Sequence, residues 1–388
     1  LETGTFRTNA MTLENIILTG FVCAAIACGY LLFLFFKPRG DRTPPPLTWR
    51  RWTAGNALII LFLAALVLAA GEVYYRFFQD DTDAYMLTKI SRRWLRRHYQ
   101  INRSEVRDST EYVWKIQPGK RRITFLGDSF TVGHGVKDVE NRFANLLRHR
   151  QPGWEVHVLA QNGWETGDEL TLMESELRAD YELDTVVLVY VLNDISDLSI
   201  EYYRNAVRRV TQRWQMGPFL DKSYFLNTWY YRLRMAADPD LRDYFRYVED
   251  WYHGPLWTIQ EERLRKLHEV VTRRGGRLLV ITFPFLQSTG DAYPFRRIHA
   301  QMGELWSLLG VPHLDLADTL LRHPSRQVVV NRFDAHPNEY AHALAADAIE
   351  EFIQSNMANP LPEPLSEAMA APPRNPADPF SAPSTAPR

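Results

Sequence analysis

The stretch "ITFLGDSFTVGHG", Ile123 to Gly135, drives an apolar β-branched run into Gly127-Asp128-Ser129 and then a glycine-spaced loop. Two chemistries suit such a turn: a backbone cradle for phosphate, or a serine presented as a nucleophile. The glycines at 127, 133 and 135 do not make GxGxxG, and no GK[ST] follows to bring a lysine to a phosphate. The GxSxG elbow of α/β-hydrolases is missing as well. What remains is Ser129 directly after a strand and at the mouth of a helix. There its own N–H faces any bound oxyanion, and the helix dipole favours negative charge.

A serine hydroxyl is a poor nucleophile until a base takes its proton and a carboxylate orients that base. Of the 11 histidines, the best placed is His336 in "NRFDAHPNEYAH", with Asp334 two residues before it. In an extended segment, residues i and i+2 point to the same side, which lets the carboxylate reach the ring. Pro337 is read as the start of the following helix, fixing this segment. His134, His157, His268 and His342 lack such a neighbour and are expected to pack or to face solvent. Two pieces complete an acyl-transfer site. "LAQNGWETGDE" places Gly163 beyond a second strand, where a backbone N–H meets a ligand unobstructed. "VVLVYVLNDI" places Asn193 beyond a third, its amide able to donate to the same oxygen.

The order Ser, Gly, Asn, His on successive strand ends resembles the SGNH family, also called GDSL-type esterases. Gly127-Asp128-Ser129 looks like its first block, Gly163 in "GWET" its second, Asn193-Asp194 its third and Asp334-Ala335-His336 its last. The resemblance covers roughly residues 120 to 355. It implies that Ser129 attacks an ester carbonyl, His336 accepts its proton and Asp334 orients the imidazole. The amides of Ser129 and Gly163 and the side chain of Asn193 would hold the oxyanion, with Asp128 and Asp194 in support. Two positions depart from the pattern. Val191 stands where the third block commonly has glycine, and the last block is DxH rather than DxxH, a spacing similar to that of alginate-type polysaccharide acetyltransferases.

These residues need elements to carry them. "RITFLG", "EVHVLA", "DTVVLVYVL", "GRLLVITFPF" and "VPHLDL" are short apolar runs, most of them separated by helical-period segments such as "NRFANLLRHR". Continuous apolar strands alternating with helices predict a parallel sheet covered on both faces, a three-layer α/β/α domain spanning 121–356. The resemblance implies that this sheet is flavodoxin-like. Its ligand crevice lies at the carboxyl ends of the strands, where the polar motifs sit. An aromatic-rich insertion, about 199–258, breaks the rhythm and reads as helical. It is either a cap whose aromatic rings stack on sugars or a body whose rings simply pack.

Two apolar runs precede the domain, at about 16–36 and 54–71, each long enough to cross roughly 30 Å of hydrocarbon as a helix. The first lacks the basic n-region of a cleaved signal peptide. Between them "KPRGDRTPPPLTWRR" carries Lys37, Arg39, Arg42, Arg50 and Arg51, which assigns this loop to the cytoplasm and both ends of the hairpin to the outside. Residues 1–15 are then a short extracytoplasmic segment, with Met11 a candidate start, and the hairpin fills 16–73. Residues 74–120 read as an amphipathic connector. Its basic "SRRWLRRHY" either touches anionic head groups or forms a solvated face. The tail, 357–388, is dominated by proline, alanine and serine and is expected to be disordered.

With 45 basic and 46 acidic side chains, no net charge draws the chain to nucleic acid. The 2 cysteines, Cys23 and Cys28, lie inside the first apolar run, which excludes a disulfide framework and a cysteine zinc site. No HExxH or comparable ligand pair is present, so neither metal nor cofactor is expected. Three functions fit: a multi-pass inner-membrane esterase facing the periplasm and deacylating a surface glycan or lipid; an O-acyltransferase using the same site with a membrane partner supplying the donor; and a non-catalytic subunit of a membrane assembly. The retained serine, histidine and carboxylate weigh against the third.

Overall fold

The apolar runs become five strands: β1 (Arg121–Gly127), β2 (Trp154–Ala160), β3 (Thr185–Val191), β4 (Arg277–Phe283) and β5 (His313–Asp315). The computed structural model describes residues 5–37, 48–175, 180–208, 210, 216–217 and 220–357. All five strands pair in parallel, in the order β2-β1-β3-β4-β5. Every residue of β3 and β4 is buried, which accounts for sequences that run continuously apolar instead of alternating. This is the flavodoxin-like order, whose crevice opens between β1 and β3, where the direction of winding reverses. Gly127 lies opposite both Ala160 and Val189, so β1, β2 and β3 finish nearly level. The loops carrying Ser129, Gly163 and Asn193 therefore leave one edge of the sheet.

Before the sheet, α1 (Thr5–Phe36) and α2 (Trp49–Val73) pack as a hairpin through Ala25, Ala65 and Ala69. Two helical stretches, Leu13–Phe36 and Trp49–Phe78, are long and apolar enough to cross a membrane. Only 11 % and 17 % of their most apolar windows are buried, whereas the core helix of a soluble domain would be mostly covered. Arg76 donates to Glu14 O at 3.1 Å and Asn15 Oδ1 at 2.6 Å, and Lys89 pairs with Glu14 at 2.5 Å. The start of the first apolar stretch and the end of the second thus meet where the chain leads on to the sheet domain.

The connector is closely packed. In α3 (Lys89–His98), Ile90 and Trp94 are buried, and so is Arg93, which donates to the carbonyls of Arg76 and Gln79. Only Arg92, Arg96 and Arg97 of its basic cluster face outward. Within the sheet domain, α4 (Ser129–Val132), α5 (Phe143–Arg150) and α6 (Thr166–Glu174) follow the first two strands. The insertion holds α7 (Ile200–Tyr202), α8 (Tyr224–Ala237), α9 (Pro239–Arg242) and α10 (Tyr244–His253). After it come α11 (Pro255–Arg273), α12 (Arg296–Leu308), α13 (Ala317–Leu320), α14 (Ser325–Val328) and α15 (Glu339–Met357). Helix α5 packs on α15, and α6 on α11, giving the two helical layers.

Much of the insertion's aromatic content is core. Tyr202, Tyr247, Trp251 and Tyr252 are buried, and Tyr252 donates to Leu192 O at 3.2 Å, tying α10 to the end of β3. Glu72, fully buried at the end of α2, accepts from Ser223 Oγ at 2.6 Å and from the backbone N–H groups of Tyr224 and Phe225 at 3.0 Å each. The last turn of the second apolar helix therefore caps α8. Trp214, Arg39, Arg42 and the tail from residue 358 lie outside the described residues.

Candidate active site

Ser129 owes its place to the turn around it. A Cβ on Gly127 would collide with Thr131 Oγ1 and crowd Val189 O, so β1 must end on glycine. Asp128 then caps α4, accepting from Phe130 N at 2.8 Å and lying 3.3 Å from Ser129 Oγ. Gly133 closes the turn at φ +73°, in the left-handed region. Two buried arginines fix the loop beyond. Arg107 donates to Gly133 O and Val136 O at 2.5 Å each, and Arg142 donates to Arg107 O at 3.0 Å. Burial beside Arg142 lowers the Arg107 guanidinium to about 10.

Asp334 and His336 sit on β7 (Asp334–Pro337), which pairs antiparallel with β6 (Val329–Asn331). Pro337 ends this strand instead of starting a helix. Asn338 supplies the cap of α15, its Oδ1 accepting from Ala341 N at 3.0 Å. The extended backbone brings His336 Nδ1 to 2.5 Å from Asp334 Oδ1, and the other ring nitrogen, Nε2, to 2.8 Å from Ser129 Oγ. Residues 207 positions apart in sequence thus form one relay.

His134 does not stand apart as its sequence context suggests. It is 1 % exposed, its Nε2 lies 3.2 Å from Asp334 Oδ2, and its ring centroid is 4.5 Å from that of His336. The expected lack of a carboxylate neighbour is corrected by the tertiary fold, which swings the loop after α4 under β7. Thr82, from the segment leaving the second apolar helix, donates to the same Oδ2. Burial pushes the Asp334 carboxyl up, but His336 and His134 outweigh it and hold it well below the usual carboxylate range. Burial pushes His336 down, but the Asp334 carboxylate outweighs it and the net shift is upward.

His134, Asp334 and His336 also bring three donor atoms within 4.8 Å of one another, a density that could hold a cation. The arrangement seen is a hydrogen-bonded one. Donors sharing a metal at bond lengths of about 2.0–2.2 Å in a tetrahedral site stand well over 3 Å apart, whereas Asp334 Oδ1 and His336 Nδ1 are at 2.5 Å.

Gly163 has φ +78°, is exposed, and has open space where a Cβ would stand. Asn193 is half-buried, and its side chain helps to offset the effect of burial on the Asp128 carboxyl. The second and third loops are joined by Thr166 N donating to Asp194 O at 3.0 Å. Behind them lies a carboxyl cluster. Burial raises Asp128; burial, then Asp128 and Glu169, raise Asp194 well above the usual range; burial and Asp128 do the same to Glu169. Glu169 was not singled out by motif reading, although an acid on the buried stripe Thr166, Leu170, Met173 was a visible signal. Val191, in place of the commonplace glycine, is fully buried and donates its N–H to Asp194 Oδ2 at 2.9 Å. His157 and His342 are buried packing groups.

No family model and no curated protein matches the chain. Among solved structures it is similar to a two-domain esterase active on acetylated mannans, at 17 % identity over 64 % of this chain and 54 % of that one, TM-score 0.34. The chain therefore spans about half the length of that protein. It is similar also to a lipolytic protein of the G-D-S-L family from Veillonella parvula, at 14 % identity over 60 % and 97 %, TM-score 0.37. A third is an acetylxylan esterase from Geobacillus stearothermophilus, at 14 % identity over 61 % and 96 %, TM-score 0.36. These neighbours are esterases and lipolytic proteins, and at such identities and TM-scores the likeness assigns no activity to this chain.

Proposed function

We propose that the protein is a membrane-anchored serine esterase of SGNH type that removes short acyl groups from a cell-surface glycan or lipid on the extracytoplasmic side. The observation that carries this reading is the continuous relay Ser129 Oγ, His336, Asp334, at 2.8 and 2.5 Å. A subunit with no chemistry to perform has no need to hold three such groups in register.

The steps follow from the atoms. Neutral His336 Nε2 takes the Ser129 proton as Oγ attacks the ester carbonyl, and Asp334 stabilises the imidazolium that forms. Negative charge develops on the former carbonyl oxygen, which the N–H groups of Ser129 and Gly163 and the Asn193 amide receive. His336 then returns its proton to the departing sugar or lipid oxygen, leaving acyl-Ser129. Water, deprotonated by His336, attacks this ester, and collapse releases the carboxylic acid and regenerates Ser129 Oγ–H. Asp128 supports the site by capping α4, and Asp194 does so by fixing the turn after β3.

The test uses the full-length chain in detergent. Ser129→Ala is expected to abolish release of p-nitrophenol from p-nitrophenyl acetate, and turnover equal to the parent would overturn the assignment of the nucleophile. Offering the parent an acetylated oligosaccharide with a second sugar as acceptor separates the outcomes: free acetate supports hydrolysis, while acetylated acceptor as the main product replaces it with acyl transfer.

A further inference from the structure

Asp334 has two oxygens, and the relay uses only one. Oδ1 accepts from His336 Nδ1 at 2.5 Å and from His336 N at 3.2 Å. Oδ2 accepts from Thr82 Oγ1 and faces His134 Nε2 at 3.2 Å. The terminal torsion of an aspartate is broad, so a carboxylate held at one oxygen can swing. Held at both, it keeps its plane and presents the same lone pair to the imidazole. Thr82 is 1 % exposed and has a single proton to give.

Thr82 comes from outside the sheet domain, on a strap that leaves the second apolar helix. Asp83 ties the strap into a tight turn, accepting from the N–H groups of Tyr85, Leu87 and Thr88 at 3.2, 3.0 and 3.1 Å. Two bonds dock the strap on the β6–β7 hairpin: Asn331 Nδ2 to Thr82 O at 3.0 Å and Ala84 N to Phe333 O at 3.3 Å. Further along, Met86 is held at φ +55°, a conformation uncommon for this residue type, with its sulfur 3.9 Å from Asn162 Nδ2, beside Gly163. The strap therefore touches both the acid of the relay and the loop of the oxyanion donor.

We propose that this juxtamembrane strap is part of the acyl-transfer site, with Thr82 and His134 as positioning residues that hold Asp334 by its outer oxygen. The proposal rests on the reading of Ser129, His336 and Asp334 given above. Its consequence is that a soluble fragment beginning near residue 85, a natural choice from sequence, lacks a group that orients the relay. The charged and titratable groups facing the pair are Asp128, His134 and His342 from the sheet domain and Asp81 and Asp83 from the strap.

The test compares full-length variants in detergent across pH with p-nitrophenyl acetate. Thr82→Val keeps the shape and removes the hydroxyl. It is expected to lower kcat roughly 10-fold to 100-fold with KM unchanged, the scale of a small misalignment of catalytic groups. The acid limb of kcat/KM should move to lower pH, because a carboxylate that swings away supports the imidazolium less. Thr82→Ser is expected to restore both. His134→Ala should move the limb the same way, and His134→Gln, whose amide reaches the Nε2 position, should recover it. Parental kcat and pH profile in Thr82→Val, with Ser129→Ala inactive, overturns the positioning role and leaves the esterase reading standing. A lower kcat with an unmoved limb and a proportionate loss of titratable sites makes Thr82 merely structural, which also overturns it. Residual turnover in Ser129→Ala overturns the underlying reading instead.

Discussion

Ser129 and His336 set the working pH of the site between them. Only the neutral imidazole can accept the serine proton, and the Asp334 carboxylate lifts His336 above its ordinary 6.5 despite burial. Activity should therefore be full above that raised value and fall as pH drops through it. Asp334→Asn removes the chief lifting charge and the correct tautomer together. Its kcat is expected to fall roughly 10⁴-fold, with the acid limb displaced downward, because burial is then opposed only by the Asp128 carboxylate. An Asp334→Asn enzyme whose acid limb coincides with that of the parent would refute this origin of the basicity. Ser129, Gly163 and Asn193 were legible because each follows an apolar strand closely, and the DxH pair because residues i and i+2 of an extended segment share a side. Thr82 and His134 were not, because their meaning comes from a carboxylate 252 and 200 residues away, counted as 334 − 82 and 334 − 134.

At the scale of elements, the strands were legible from their runs, and the register that levels Gly127 with Ala160 and Val189 was not. Nor was the two-stranded hairpin that makes Asp334–Pro337 extended, although the DxH spacing required an extended segment there. Pro337 suggested a helix start, but the capping oxygen belongs to Asn338, since proline has no N–H to lose at a strand end that pairs only briefly. Glu72 is the larger surprise. From sequence it is a flanking charge beyond the second span, while in the fold it is buried and accepts from three donors at the start of α8. Removing a buried acceptor leaves its donors unpaired, a loss of about 1–3 kcal/mol. Glu72→Ala should accordingly speed hydrogen exchange in the first turn of α8 while leaving β3 protected. Equal protection of α8 in parent and variant would show that the cap contributes nothing.

The whole molecule joins a two-helix hairpin to an α/β domain through a connector that both halves grip. Glu14 and Asn15 meet Arg76 and Lys89 where the hairpin opens toward the domain, so the two ends of the hairpin share one side. With the basic loop read as cytoplasmic, a reporter fused after Met357 is expected to be active only if it functions outside the cytoplasm. Activity of a cytoplasm-only reporter at that position would reverse the orientation. The two long apolar helices were legible because a run of such length and composition stands out directly in the sequence. The joint between α2 and α8 was not, since it depends on a surface built by residues far apart. The most direct test of the central claim is covalent. The full-length chain in detergent, treated with a fluorophosphonate and digested, should carry a single adduct on Ser129, formed faster as His336 loses its proton and lost in His336→Ala. An unlabelled chain, or an adduct on a different serine, would contradict the account.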